Sequence, residues 1–135
     1  MARAGFEEHN RASRRSAEVV VVDDDPAVLG ALKFALELEG FSVADYRSGS
    51  ELLAQSELPQ AGCLVIDFRL PDMDGLALLE ALRDRAIDLP AVLTTSHPTQ
   101  GLRGRAAAVA VPIIEKPLLG NALFEAIESA LARRA

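Results

Sequence analysis

The sequence predicts an α/β fold: a doubly wound parallel sheet of five strands with helices on both faces. From residue 18 onward, short apolar runs of strand length alternate with longer segments whose apolar residues recur at helical spacing, which is the pattern of repeated strand and helix units. The first and third runs are wholly apolar, as strands are when helices cover both faces of a parallel sheet. The expected strand order is 2-1-3-4-5, a common order of doubly wound sheets.

Five apolar runs predict the strands, because their lengths and their β-branched residues favour strands over helices. The predicted strands are residues 19–22, 42–46, 63–66, 91–95 and 111–114. The second run is the weakest, and in the expected order it lies at the outer edge of the sheet.

The segments between and after the strands predict five helices. The first is capped by Asp25, begins at Pro26 and ends at Gly40, a typical sequence of helix start and stop signals. A short second helix passes through Leu52 and Leu53. The apolar faces of the third and fifth helices are formed by Leu76, Leu79 and Leu82 and by Leu123, Ile127, Ala130 and Leu131. The fourth, within residues 99–108, contains two glycines that each cost about 1 kcal/mol relative to alanine, so a short or mobile helix is expected.

Size and composition limit the possible functions. The 135 residues leave room for one domain, assigned to residues 18–135 after a flexible basic N-terminal tail of residues 1–17. The net charge of −6 argues against direct binding of nucleic acid, which requires clustered Lys and Arg. The single cysteine, Cys63, lies in an apolar run and fits a reducing compartment, and no stretch has the roughly 20 apolar residues of a membrane span. A cytoplasmic location is therefore expected.

Polar side chains stand where the predicted strands end. Asp23 and Asp24 follow the first strand, and Asp67 follows the third. Thr95 ends the fourth strand and Lys116 follows the fifth. The carboxyl ends of parallel strands share one edge of the sheet, and ligands bind at this edge where the strand order reverses. Four strands are therefore expected to deliver these five side chains to one crevice.

The residue types in this crevice suit phosphoryl transfer assisted by a divalent cation. Three converging carboxylates stay ionised together only with a cation among them, and Mg²⁺ accepts such oxygen ligands while keeping waters for a phosphate. Asp67 is placed to act as a nucleophile, because carboxylates form acyl phosphates with phosphoryl donors. Lys116 and the Thr95 hydroxyl would hold the equatorial oxygens of the transferred group.

The motifs that carry these residues resemble those of the receiver domain of two-component response regulators. They read VVVVDDDPAV, LVIDFRLPDMDG, AVLTTSHP and IIEKP, and the similarity covers residues 18–133. The resemblance implies a five-stranded parallel sheet with five flanking helices, and a histidine kinase or phosphotransfer protein as phosphoryl donor. It also implies a phosphoacceptor rather than an enzyme, one that promotes its own phosphorylation and slow dephosphorylation.

The resemblance assigns a metal-binding role to four positions. Asp24 is a direct Mg²⁺ ligand, and Asp23 acts partly through water. Asp67 and the backbone carbonyl of Arg69 complete the set of metal contacts. Mg²⁺ is accordingly the one cofactor that the resemblance implies.

Three positions are assigned to the phosphoryl group itself. Asp67 is the phosphoacceptor, Thr95 is the hydroxyl that moves toward the phosphoryl group, and Lys116 pairs with that group. The Lys116–Pro117 peptide bond is cis in the family, which would direct the ammonium into the crevice. We further hypothesise that His97 and Arg69, both close to the site in sequence, influence the rate at which the phosphoryl group is hydrolysed.

One position departs from the family pattern. Many receivers have Tyr or Phe three residues before the lysine, and this chain has Ile113 there. An aliphatic side chain cannot move a ring between a buried and an exposed rotamer. Phosphorylation is therefore expected to survive in this chain while the way it is transmitted differs.

Three other functions remain open at this stage. A receiver that binds partners irrespective of phosphate is one, although Asp24, Asp67, Thr95 and Lys116 are all present. A Mg²⁺-dependent phosphohydrolase is a second, although Arg69 stands where a second catalytic Asp is expected. A nucleotide-binding fold is the third, although no glycine-rich loop follows the first strand. For a signalling receiver, the downstream target is unknown, a homodimer is possible, and neither nucleic acid nor a membrane is expected as a direct partner.

Overall fold

The computed structural model describes residues 17–58, 62–118 and 120–134. Within these ranges the strands are β1 (Glu18–Val22), β2 (Ser42–Tyr46), β3 (Gly62–Asp67), β4 (Ala91–Thr95) and β5 (Ile113–Glu115). The helices are α1 (Pro26–Leu38), α2 (Gly49–Leu53), α3 (Gly75–Asp84), α4 (Gln100–Ala108) and α5 (Ala122–Arg134). The predicted tail, residues 1–17, lies outside the described ranges except for Ala17, which is buried.

The five strands form one sheet in the order β2-β1-β3-β4-β5, and every neighbouring pair is parallel. This confirms the predicted doubly wound fold and the position of residues 42–46 at an outer edge. β1, β3 and β4 lie inside the sheet, and these are the strands whose residues are almost all buried. Their carboxyl ends meet at one edge of the sheet, which is where the polar residues stand.

The alternation of side chains along each strand divides the core into two layers. On one face, Val20, Val22, Leu64, Ile66 and Leu93 pack with leucines of α2, α3 and α4. On the other, Val19, Val21, Val65 and Val92 pack with α1 and α5. The predicted apolar faces of the third and fifth helices lie in these layers, since Leu76, Leu79, Leu82, Leu123, Ile127 and Ala130 are all buried. Full burial of one such leucine or isoleucine contributes about 1.5–3 kcal/mol.

One predicted strand differs in the structure. β5 begins at Ile113 rather than Val111, because the Val111 amide donates to the Ala106 carbonyl at the end of α4 and Pro112 has no amide hydrogen to donate. α4 has nine residues, fewer than the thirteen each of α1 and α5, which agrees with the short helix expected from its glycines. Among the described residues, no helix combines the length and the hydropathy needed to cross a membrane.

Three helices end in the same hydrogen-bonded turn. After α1, α3 and α4, an amide donates to the carbonyl five residues earlier, for example Phe41 to Leu36 and Ile87 to Leu82. The residue before that donor adopts positive φ, at Gly40 (97°), Ala86 (61°) and Ala110 (57°). Glycine adopts this conformation freely, whereas the Cβ of alanine makes it unfavourable by roughly 1–2 kcal/mol.

Glycine at the two alanine positions is therefore expected to stabilise the protein. Ala86→Gly and Ala110→Gly should each raise the free energy of unfolding by about 0.5–1 kcal/mol, because relief of the left-handed alanine outweighs the greater entropy of glycine in the unfolded chain. Urea denaturation measures the change. Ala107→Gly, within α4, is the control and should lose about 1 kcal/mol; a loss at all three positions would contradict the explanation.

Candidate functional site

The sheet brings the predicted polar residues to its carboxyl edge. The last residue of β1, Val22, pairs with Ile66 of β3, so the residues that follow them, Asp23 and Asp67, stand side by side. The alternation of β1 and β3 places Val19, Val21 and Val65 on the face covered by α1 and α5. Asp23 and Asp67 continue that alternation and therefore project toward the same side.

Asp23, Asp24 and Asp67 form an acidic cluster. One carboxylate oxygen from each lies within 4.8 Å of the other two. Asp23 and Asp67 are buried, with 1% and 7% of their surface exposed, whereas Asp24 is exposed. The Asp25 amide donates to Asp23 Oδ1 at 3.0 Å, and Asp25 itself caps α1 as predicted, accepting from the Ala27 amide. Two buried and one exposed carboxylate thus form an acidic pocket that opens to solvent.

The Lys116 ammonium lies between the two buried carboxylates. Its Nζ is 2.8 Å from Asp23 Oδ2 and 3.4 Å from Asp67 Oδ2. The Lys116 amide donates to the Thr95 carbonyl at 2.8 Å, which extends the pairing of β4 and β5 by one residue and fixes the point from which the side chain departs. The Lys116–Pro117 peptide bond is cis, as the resemblance implies. Two carboxylates, at the ends of β1 and β3, therefore share the one ammonium that follows β5.

The charge balance of the cluster is incomplete. Burial raises the pKa of Asp67, the negative charge of Asp23 raises it further, and the attraction of Lys116 and a hydrogen bond from the Arg69 amide only partly oppose these effects. Burial lowers the pKa of Lys116, but its hydrogen bond with Asp23 and the charges of Asp67 and Asp23 outweigh burial, so the net pKa is raised. One ammonium is thus held firmly in its charged form while Asp67 still carries unfavourable negative charge.

Three further residues of the predicted site follow or end the neighbouring strands: Thr95 and His97 at β4, and Arg69 after β3. Thr95 is buried at the end of β4, and its hydroxyl oxygen accepts from the His97 amide at 3.3 Å. His97 is exposed in the following loop. Arg69 is also exposed, and it forms an isolated antiparallel bridge with Asp74. The metal contact predicted for the Arg69 carbonyl stays a prediction.

The loop after Asp67 contains contacts that the sequence pattern did not predict. The Asp72 carboxylate accepts from the backbone amides of Gly49 and Ser50 at 3.1 and 2.8 Å and also from the Ser50 hydroxyl, and the serine hydrogen bonds lower the pKa of Asp72. Asp74 caps α3 by accepting from the Ala77 amide at 2.8 Å. An aspartate directly before an apolar helical run is a recognisable cap signal, whereas nothing local indicates the bond to Ser50.

The residues present fit a small divalent cation. Three carboxylates converge, and a hard cation with oxygen ligands suits that donor set. Burial, and then the negative charge of Asp23, raise the pKa of Asp67, and a cation bound among the carboxylates would oppose both effects. The same arrangement leaves the Asp67 carboxylate beside an ammonium, which suits phosphoryl transfer.

Asp67→Asn is expected to stabilise the protein in buffer free of divalent cations. Because the folded-state pKa of Asp67 is raised, the ionised group opposes folding at pH values above that pKa, and this opposition disappears as the pH falls below it. The neutral amide removes repulsion from Asp23, which amounts to about 1 kcal/mol for charges roughly 5 Å apart even in water. Urea unfolding at neutral pH with EDTA measures the difference.

Asp72→Asn supplies the matched control, because hydrogen bonds lower the pKa of that carboxylate instead of raising it. Its replacement should reduce stability under the same conditions. Equal losses in the two variants would show that the charge balance around Asp67 is wrong.

Known proteins share both the motifs and the fold. A family model described as the response regulator receiver domain matches residues 19–128. The chain is 39% identical over 113 residues to the transcriptional regulatory protein FixJ of Rhizobium meliloti (strain 1021), covering 83% of this chain and 55% of that protein. It is 36% identical over 121 residues to the tetrathionate response regulatory protein TtrR of Salmonella typhimurium (strain LT2), covering 85% and 56%.

Solved structures agree with this similarity. The crystal structure of FixJ-N superimposes with a TM-score of 0.77 at 35% identity, covering 86% of this chain and 94% of that chain. A CheY-like receiver domain protein from Methanospirillum hungatei JF-1 gives 0.78 at 27% identity, covering 87% and 95%. The chain thus spans slightly more than half of the curated relatives FixJ and TtrR but nearly all of these two structures. By its motifs, its sheet order and these matches, the chain belongs to the response regulator receiver domain family of two-component signalling proteins.

Proposed function

We propose that this receiver accepts a phosphoryl group on Asp67, with Mg²⁺, from a histidine kinase or phosphotransfer protein, and signals by a change of shape. The observation that carries the proposal is the position of Asp67. Its carboxylate is buried in the acidic cluster with Asp23 and Asp24 and lies 3.4 Å from the Lys116 ammonium. A nucleophile, an acidic cation site and a fixed positive charge thus meet in one crevice.

The transfer itself needs few protein groups. An Asp67 carboxylate oxygen attacks the phosphorus of the donor, the new P–O bond forms, and the bond from phosphorus to the donor nitrogen breaks, with its electron pair leaving on that nitrogen. Asp24 and Asp67, with Asp23 acting partly through water and the Arg69 carbonyl, would hold Mg²⁺. When bound, Mg²⁺ supplies positive charge that offsets the charge of the phosphoryl oxygens.

Lys116 and Thr95 act on the phosphoryl group after it arrives. Lys116 already contacts the Asp67 carboxylate, so its ammonium can pair with an oxygen of the product without moving to a new part of the site. The Thr95 hydroxyl accepts from the His97 amide and still has its own hydrogen to donate. Turning that hydroxyl toward a phosphoryl oxygen would change the conformation of the β4–α4 loop. We expect the conformational change to spread from the site through this loop.

The competing functions have less support in the same geometry. A receiver that binds partners irrespective of phosphate would not require Asp67 to lie beside the Lys116 ammonium and within the acidic cluster. A phosphohydrolase needs a general acid or base next to its nucleophile, and Arg69 stands two residues after Asp67. We therefore propose a phosphoacceptor that promotes its own phosphorylation and slow dephosphorylation rather than an enzyme acting on other substrates.

Phosphorylation is tested with a small donor. Incubation with acetyl phosphate and Mg²⁺ should add one phosphoryl group per chain, measured by intact mass, and chelation of Mg²⁺ or the Asp67→Asn substitution should abolish the product. Asp72→Asn, in the loop that follows, is the control and should still be phosphorylated. No product in the wild-type chain would favour phosphate-independent binding, and many turnovers of unrelated phosphate esters would favour a phosphohydrolase.

The lifetime of the phosphoryl group tests the two remaining assignments. Arg69 and His97 are exposed beside the site, so their side chains can shield the acyl phosphate from water. Arg69→Ala and His97→Ala should each shorten the lifetime after the donor is removed, measured by loss of the phosphorylated mass with time. An unchanged lifetime in both variants would remove these residues from the mechanism.

A further inference from the structure

We infer that Arg105 of α4 is a positioning residue through which phosphorylation of Asp67 displaces α4; this rests on the proposed function. The Arg105 guanidinium contacts the loop after Asp67 at two points. Its Nη2 lies 3.2 and 3.4 Å from the two carboxylate oxygens of Asp74, and its Cζ lies 5.6 Å from the centroid of the Phe68 ring. One side chain of α4 thus binds both ends of that loop.

The two contact points are tightly joined to Asp67. Phe68 is the next residue in the chain, and its carbonyl accepts from the Gly75 amide at 2.7 Å. Asp74 pairs with Arg69 across the loop. Gly75 lies so close to the Asp67 carbonyl that a Cβ there would be 2.6 Å from that oxygen. A shift of the Asp67 backbone therefore displaces the partners of Arg105 directly.

α4 has few other attachments. Leu102 and Ala106 are its buried residues, whereas α3 buries Gly75 and four leucines. A Cβ added at Gly104 would meet no described atom within 4 Å, and one added at Gly101 would have its nearest neighbour 3.9 Å away. A helix held by so little apolar contact is easily displaced, so a change in the contacts of Arg105 is enough to affect its position.

The unphosphorylated and phosphorylated proteins differ in the negative charge at Asp67. Phosphorylation gives Asp67 more negative charge and three acceptor oxygens. The Arg105 guanidinium contacts the ring of Phe68, the residue that follows Asp67, so we expect the added negative charge to change the balance of its contacts with Phe68 and Asp74. A modification shifts a conformational equilibrium only through contacts that differ between its states, and the contacts of Arg105 are the ones that we expect to differ. Ile113 of β5, which packs against the same core layer, has no polar atom with which to respond.

The test compares α4 with and without a phosphoryl mimic. Wild-type protein is incubated with Mg²⁺ and beryllium trifluoride, and backbone hydrogen exchange of residues 100–108 is measured in both states. We expect the mimic to change exchange in α4, and we expect Arg105→Ala and Arg105→Gln to reduce that change about fivefold, the lower range of coupling between sites. Arg105→Lys, which keeps the positive charge, should restore part of the response.

Arg103→Ala is the matched control, because Arg103 is exposed on the same helix and should leave the response intact. Thermal unfolding checks that each variant is folded, and a purely structural role would alter exchange equally in both states. A wild-type chain that binds no mimic and takes no phosphoryl group would overturn the proposed function and the inference with it. A bound mimic together with a full α4 response in Arg105→Ala, or with no response in the wild type, would overturn the inference alone.

Discussion

The burial of two carboxylates around one ammonium is the constraint on which this structure depends. Removing charges from water is costly unless partners of opposite charge are close, and Asp23 and Asp67 have Lys116 at 2.8 and 3.4 Å. The three groups come from the ends of β1, β3 and β5, so the correct order and register of the sheet is the condition for their pairing. A sheet with another strand order would leave these buried charges unpaired. Other strand orders are therefore energetically unfavourable.

The fold could be predicted to the level of strand order because its strands are recognisable without long-range information. Residues 91–95, bounded by Pro90, are a short run of apolar and β-branched residues that coincides with β4, and the alternation of such runs with helical segments indicates a parallel sheet. The ends of a strand are harder to predict where a backbone amide of the strand's sequence donates to a neighbouring helix instead of to the sheet. Val111 belongs to an apolar run, but its amide is used by the end of α4, and no local pattern shows that competition.

The candidate site was predictable for a similar reason: its residues follow strands, and strands of a parallel sheet end together. Asp23, Asp24 and Asp67 do converge, and Lys116 joins them. Contacts between loops and helices were not predictable in this way. Asp72 and Ser50 are 22 residues apart, and Arg105 and Asp74 are 31 apart, with no periodic spacing that relates them. Such pairs depend on where each loop lies once the sheet has formed.

Because side chains alternate along each strand, different residues of the site face the two helical layers. Asp23, Asp67 and Lys116 project toward the layer of α1 and α5, where Lys116 borders an apolar cavity of about 390 Å³ with Leu32 and Leu123. Phe68 packs with the opposite layer, and Thr95 follows Leu93 of that layer in the alternation. The plane of the sheet therefore separates two halves of the crevice. One half contains the carboxylates and the ammonium, and the other adjoins α4. Chemistry can proceed on one side of this partition while its mechanical consequences develop on the other.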